Sequence, residues 1–143
     1  DLKFPTGPVK KVGDGLVQEF QGGILTRNPD GKNQVSFGAI GKKYKDMGGV
    51  ESPLGFPTDG EKKVEGGFFQ EFEHGSIYWS PESGAHYILK GAIMDEWGKK
   101  GWEQGEFGWP TSDYSEIAAG GLKQEFQHGT ISEVMGRVQT EKK

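Results

Sequence analysis

Leu54-Gly55-Phe56-Pro57-Thr58 decides how this chain is read, because it is written three times. Leu2-Lys3-Phe4-Pro5-Thr6 stands ahead of it and Phe107-Gly108-Trp109-Pro110-Thr111 behind it. A second block follows each copy: Gln18-Glu19-Phe20, Gln70-Glu71-Phe72 and Gln124-Glu125-Phe126. Successive prolines lie 52 and 53 residues apart, and successive glutamines 52 and 54. Two independent markers that keep one period define a tandem repeat. The units run at about 1–52, 53–105 and 106–143, the last incomplete, within a single repeat domain. Residues that recur in every unit then read as architecture, and function is sought where the units differ or meet.

Composition agrees with short elements and many turns. Of 143 residues only 32% are hydrophobic, while glycine reaches 25 and aromatics 12%. Such a profile favours short strands pinned by a few large rings over long amphipathic helices. The net charge of -4, with no block of like charges, argues against a nucleic-acid partner. Cysteine is absent, which excludes a disulfide framework, thiol catalysis and cysteine-type zinc sites. No apolar run approaches the ~20 residues of a membrane span. No signal peptide heads the chain, which reads it as cytosolic or as the mature form of an exported protein.

The middle unit gives the local plan. Phe68 to Phe72 forms one extended run and Ser76 to Trp79 another, joined by Glu73-His74-Gly75 with Gly75 expected at positive φ. Ser80-Pro81-Glu82-Ser83-Gly84, like Arg27-Asn28-Pro29-Asp30-Gly31, predicts a type I turn before a third strand at about 85–89. Gly91-Ala92-Ile93 opens a short helix that sets Ile93 and Trp97 on one face, as Gly38-Ala39-Ile40 does for Ile40 and Tyr44. Gly48 and Gly101 are the expected helix stops. The fold class is thus mainly β with short helices (α+β), each unit a three-stranded meander plus a helix. The third unit is expected to end on a hairpin near Val138, with Lys142 and Lys143 frayed and no helix of its own.

Alternation places Leu16, Phe68 and Leu122 on one sheet face with Phe20, Phe72 and Phe126. The recurring glutamine lies between them. It is therefore expected to be buried, its amide bonded to backbone of the Leu-Gly-Phe-Pro-Thr loop or of the adjoining unit. Val17, Phe69 and Lys123 stand on the opposite face at what reads as an unconstrained position.

These blocks resemble the LGFP repeat family, found in exported proteins of mycolic-acid-containing actinobacteria. The likeness is carried by Leu54 to Asp59, Gly66-Gly67, Gly75-Ser76-Ile77-Tyr78-Trp79-Ser80-Pro81, Gly84-Ala85-His86 and Gly91-Ala92-Ile93. It implies pseudo-symmetric units in a propeller-like arrangement. It also implies a cell-wall module appended to a mycoloyltransferase or peptidoglycan amidase domain and held in the envelope by wall polysaccharide, arabinogalactan or peptidoglycan. Units one and three depart from the pattern, with Leu25-Thr26 and Ile131-Ser132 where the middle unit has Tyr78-Trp79.

The candidate ligand-binding residues are Tyr78, Trp79, His86, Trp102 and Trp109, because sugars are recognised by flat apolar rings with polar groups beside them. Phe56, Phe72 and Trp97 recur in kind and read as core. His74 and His128 share one turn position and His86 stands alone, a poor zinc set, so neither metal nor cofactor is expected. No nucleophile and base can be assembled, no Gly-x-Ser-x-Gly elbow exists, and no carboxylate pair is singled out. The expected function is non-catalytic polysaccharide binding in the envelope. The alternative is a protein-interaction or self-association scaffold that positions an enzyme domain.

Overall fold

In the computed structural model, which describes residues 2–143, three antiparallel four-stranded sheets follow one another, with a helix after each of the first two. The first sheet is β1 (Lys10–Val12), β2 (Gly15–Phe20), β3 (Gly23–Arg27) and β4 (Asn33–Phe37), followed by α1 (Gly38–Met47). The second is β5 (Lys62–Val64), β6 (Gly67–Phe72), β7 (Gly75–Ser80) and β8 (Gly84–Leu89), followed by α2 (Ala92–Lys99). The third is β9 (Ser115–Ile117), β10 (Gly121–Phe126), β11 (Gly129–Val134) and β12 (Arg137–Lys142). Every sheet is a plain meander in chain order. No helix among the described residues is long and apolar enough to cross a membrane.

Each of the first two units therefore has four strands where three were expected, and the third, expected to stop at a hairpin, also has four. The extra one is a three-residue edge whose first two side chains are exposed, so it leaves no alternation to read. The end of the chain also departs from expectation. β12 pairs with β11 from Val134↔Arg137 to Gly129↔Lys142, and the Lys143 N–H donates to the His128 carbonyl at 2.9 Å. All six β12 side chains are exposed, so backbone pairing is the main hold on the strand, joined by Lys142, whose ammonium lies 5.3 Å from the Phe107 ring centroid and 3.8 Å from Glu106 Oε2.

The hairpin glycine has another role than the one expected. Phe72 pairs with Gly75, so the turn is the two residues Glu73-His74, and Gly75 opens β7 without a positive φ. A Cβ there would collide with the Ile88 carbonyl and stand 2.9 Å from Leu54 Cδ2. Gly23 and Gly129 are crowded in the same way by Ser36 and Glu141 carbonyls. Close approach of two backbones, not turn conformation, selects glycine here.

The two recurring blocks keep one period because they bond to each other. Thr58 N–H donates to Glu71 O at 3.0 Å, Glu73 N–H to Phe56 O at 2.9 Å and His74 N–H to Leu54 O at 3.0 Å. Units one and three repeat the three bonds at Thr6/Gln21/Gly22 and Thr111/Gln127/His128. The buried glutamine completes the join. Gln70 Nε2 donates to Asp59 O at 2.9 Å and, across the unit boundary, to Val35 O at 3.3 Å. Gln124 Nε2 donates to Ser112 O, and Gln18 Nε2 to Gly7 O at 3.1 Å.

Both cores lie between units. Val17, Ile24, Ile40 and Tyr44 of the first unit pack with Leu54, Phe56, Phe72 and Ile77 of the second. Ile88, Ile93, Met94 and Trp97 of the second pack with Phe107, Trp109, Phe126 and Ile131 of the third. A helix thus seats on its own sheet and on the next one. That is why Val17, read as unconstrained, is buried: α1 covers the face it occupies.

Candidate functional site

Where α2 ends, the chain makes an unusual turn. Gly101 (φ 103°) and then Trp102 (φ 60°) both take left-handed backbone, leading into a single 3-10 turn at Trp102–Gln104. Unit one makes the same turn with two glycines, Gly48 (φ 114°) and Gly49 (φ 64°). A bulky side chain in this conformation is rare and costs roughly 1–2 kcal/mol. The strained residue is also displayed, with 43% of its surface exposed. Its ring lies over Gly98, where a Cβ would stand 2.6 Å from the indole, and meets Trp97 edge-on at 5.5 Å. Gln104 Nε2 pins the turn to Glu65 O at 2.7 Å.

The Trp102 indole forms one wall of a cleft of about 430 Å³. Tyr78 and Phe69, stacked at 5.0 Å, line it, together with Met94. Glu71, Glu103, Lys90, Thr58 and Ser76 supply polar groups around the rings. Burial first, then Glu103 and Glu71, pushes the Tyr78 phenol well above its ordinary value. The cleft thus offers an apolar platform, two carboxylates as acceptors, and an ammonium and hydroxyls as donors.

The five residues singled out in the sequence fall in four places. Tyr78 and Trp102 share this cleft. Trp79 is on the other face of the same sheet, against Phe68 at 5.8 Å, in an apolar hollow of about 170 Å³ closed by Phe37 to Ile40 and Glu61. Burial pushes the Glu61 carboxyl up even though it accepts the Phe37 N–H at 2.9 Å. Trp109 is buried in the second core beneath Gly67.

His86 lies where all three units meet. Its Nδ1 faces Asp113 Oδ1 at 3.2 Å and its Nε2 faces Ser83 O at 2.7 Å. Lys43 of α1 reaches Asp113 Oδ2 at 2.5 Å, and the Tyr87 N–H donates to Asp113 Oδ1 at 3.4 Å. Burial acts to raise the Asp113 carboxyl, but the hydrogen bonds and charges of Lys43 and His86 prevail and hold it below its usual value.

Thr58, Phe69, Glu71, Lys90 and Glu103 were not picked out from sequence. Glu71 recurs in the Gln-Glu-Phe block, which reads as architecture, and Glu103 neighbours a tryptophan that does not recur. The rest come from separate elements that only the fold brings together.

A repeated four-stranded meander, joined through Leu-Gly-Phe-Pro-Thr blocks and carrying a displayed indole beside a cleft, defines a tandem-repeat module. The LGFP repeat family matches residues 2–52 and 54–105, and the chain belongs to that family. No curated protein matches it.

Proposed function

We propose that the chain is a non-catalytic module that binds cell-wall polysaccharide in the Trp102 cleft and so anchors an exported protein in the envelope. The observation that carries this reading is Trp102 itself, a strained and exposed indole where the sister unit has Gly49. Strained backbone clusters at ligand-binding sites, and at Trp102 it coincides with an exposed ring that lines a cleft. A flat indole stacks on the C–H face of a sugar ring, while Glu71 and Glu103 accept from its hydroxyls and Lys90 donates. A single cleft of this kind binds modestly, and firm retention comes from several modules on one polymer. Four-stranded meanders gathered about the Lys43–Asp113–His86 contact support a propeller-like arrangement of units. An enzyme domain in the same polypeptide is the partner that such an anchor serves.

Co-sedimentation with purified, insoluble wall polysaccharide tests the reading. Wild type pellets with the polymer, Trp102→Gly loses at least tenfold in affinity, and Trp79→Ala binds as wild type. Full binding by Trp102→Gly removes the cleft from the argument. Failure of wild type to bind any wall polysaccharide removes the function.

A further inference from the structure

We infer that the outer face of the first sheet is a docking surface for a helix of the α1 and α2 type, supplied by another LGFP unit. Two such helices are already seated on the equivalent face within this molecule. α1 covers the face of the second sheet that carries Phe72 and Ile77, and α2 covers the face of the third that carries Phe126 and Ile131. Beneath them Phe56 and Trp109 keep only 8% and 7% of their surface exposed. Phe4, at the same place in the first unit, is 73% exposed. Leu2, the counterpart of the fully buried Leu54, is only half-buried.

The rest of the seat is present. Leu16 and Leu25 line an apolar groove of about 210 Å³, with Val9 at its end. Val9 is 56% exposed and Leu16 37%. Leu16 stands where Phe68 lines the hollow under α1, and Val9 where Glu61 meets the α1 N-terminus. Lys3 already holds the left-handed backbone (φ 65°) that Gly55 and Gly108 (both φ 77°) adopt beneath their helices.

The opposite end of the stack is different in kind. The outer face of the third sheet carries Lys123, Glu125, Thr130, Ser132, Gln139 and Glu141, with Lys123 and Glu125 paired at 3.2 Å. A polar face of this sort finishes a stack, as capping units do in repeat proteins. An apolar face that repeats a covered one awaits its cover. The helix that fits presents an isoleucine and, four residues on, an aromatic ring, as Ile40/Tyr44 and Ile93/Trp97 do. A second copy of this chain has no such helix to lend, since both of its own are engaged between sheets.

The test joins a copy of residues 38–53 directly ahead of Leu2 in the full chain, reproducing the native passage from Gly38 into Leu54. The fused chain is expected to melt several degrees higher than the original. Because the chain has no cysteine, Leu16→Cys installs a single reporter, and its thiol labelling slows at least tenfold in the fusion. Ile40→Asp together with Tyr44→Asp in the copied segment abolishes both effects. An unchanged melting temperature with unchanged labelling overturns the proposal. So does concentration-dependent protection of the thiol in the original chain together with a dimer in sedimentation, which would assign the face to self-association.

Discussion

The phenol of Tyr44 donates a 2.6 Å hydrogen bond to the carbonyl of Gly55, and this bond fastens the first unit to the second. Trp97 Nε1 repeats it at 3.1 Å with Gly108 between the second and third. Two different side chains, both fully buried, thus perform one task at equivalent places. Tyr44→Phe keeps the ring and removes only the donor, leaving a buried carbonyl unmet. Urea denaturation should show a loss of about 1–3 kcal/mol, the cost of an unsatisfied buried acceptor. Trp97→Phe removes the donor and opens a void as well, so it is expected to cost more, roughly 2–4 kcal/mol.

Gln70 tests whether the recurring amide is structural. Its Nε2 holds the loop after Pro57 through Asp59 O and the first unit through Val35 O. Gln70→Glu keeps the shape but cannot donate when ionised, and it places a charge in the core. It should destabilise by at least about 2 kcal/mol at neutral pH and recover part of that loss on acidification, as the buried carboxyl takes up its proton. Denaturation midpoints at two pH values would decide this. A variant as stable as wild type at neutral pH would mean that the amide bonds carry no weight.

Asp113 ties three units through Lys43 and His86, and its folded-state carboxyl lies below the ordinary value. A depressed carboxylate contributes stability above its unfolded pKa of about 3.9 and loses it as the pH falls through the lower folded value. Melting temperature should therefore drop on acidification below about pH 4 more steeply in wild type than in Asp113→Asn. Asp113 is partly exposed, so added salt should shrink the difference by screening. Equal acid limbs in the two proteins would show that the cluster adds nothing to stability.

Much of the scaffold was legible because it is redundant. Three copies of one block expose the period, and the four-residue spacing of Ile40/Tyr44 and Ile93/Trp97 reveals helices whose buried face is written twice. What escaped lacked a side-chain signature. β1, β5, β9 and β12 are short or fully exposed edges, made by backbone bonds that any residue can supply. Val17 misled because alternation assumes one wet face, whereas α1 dries it. The cleft was half visible. Tyr78 and Trp102 stood out as rings outside the repeat, but the carboxylates and Lys90 beside them lie on different elements. The left-handed turn shows only when Trp102 is aligned with Gly49.

That alignment sets stability against binding at one residue. Trp102→Gly restores the unit-one solution and relieves about 1–2 kcal/mol of backbone strain. It forfeits the edge contact with Trp97, worth about 0.5–1.5 kcal/mol, and the burial of the covered part of the ring, so the losses offset the relieved strain and no large gain in stability is expected. Binding of wall polysaccharide should nevertheless fall at least tenfold. Gly98→Ala approaches the same question while keeping the indole. Its new Cβ would stand 2.6 Å from the Trp102 ring and must push it aside, whereas alanine in place of glycine in the last turn of α2 contributes part of the roughly 1 kcal/mol that it is worth in a helix interior. The expected outcome is weaker binding with no loss of melting temperature. Were Gly98→Ala to bind as tightly as wild type, the indole would act without being held in place, and the strain at Trp102 would need another explanation.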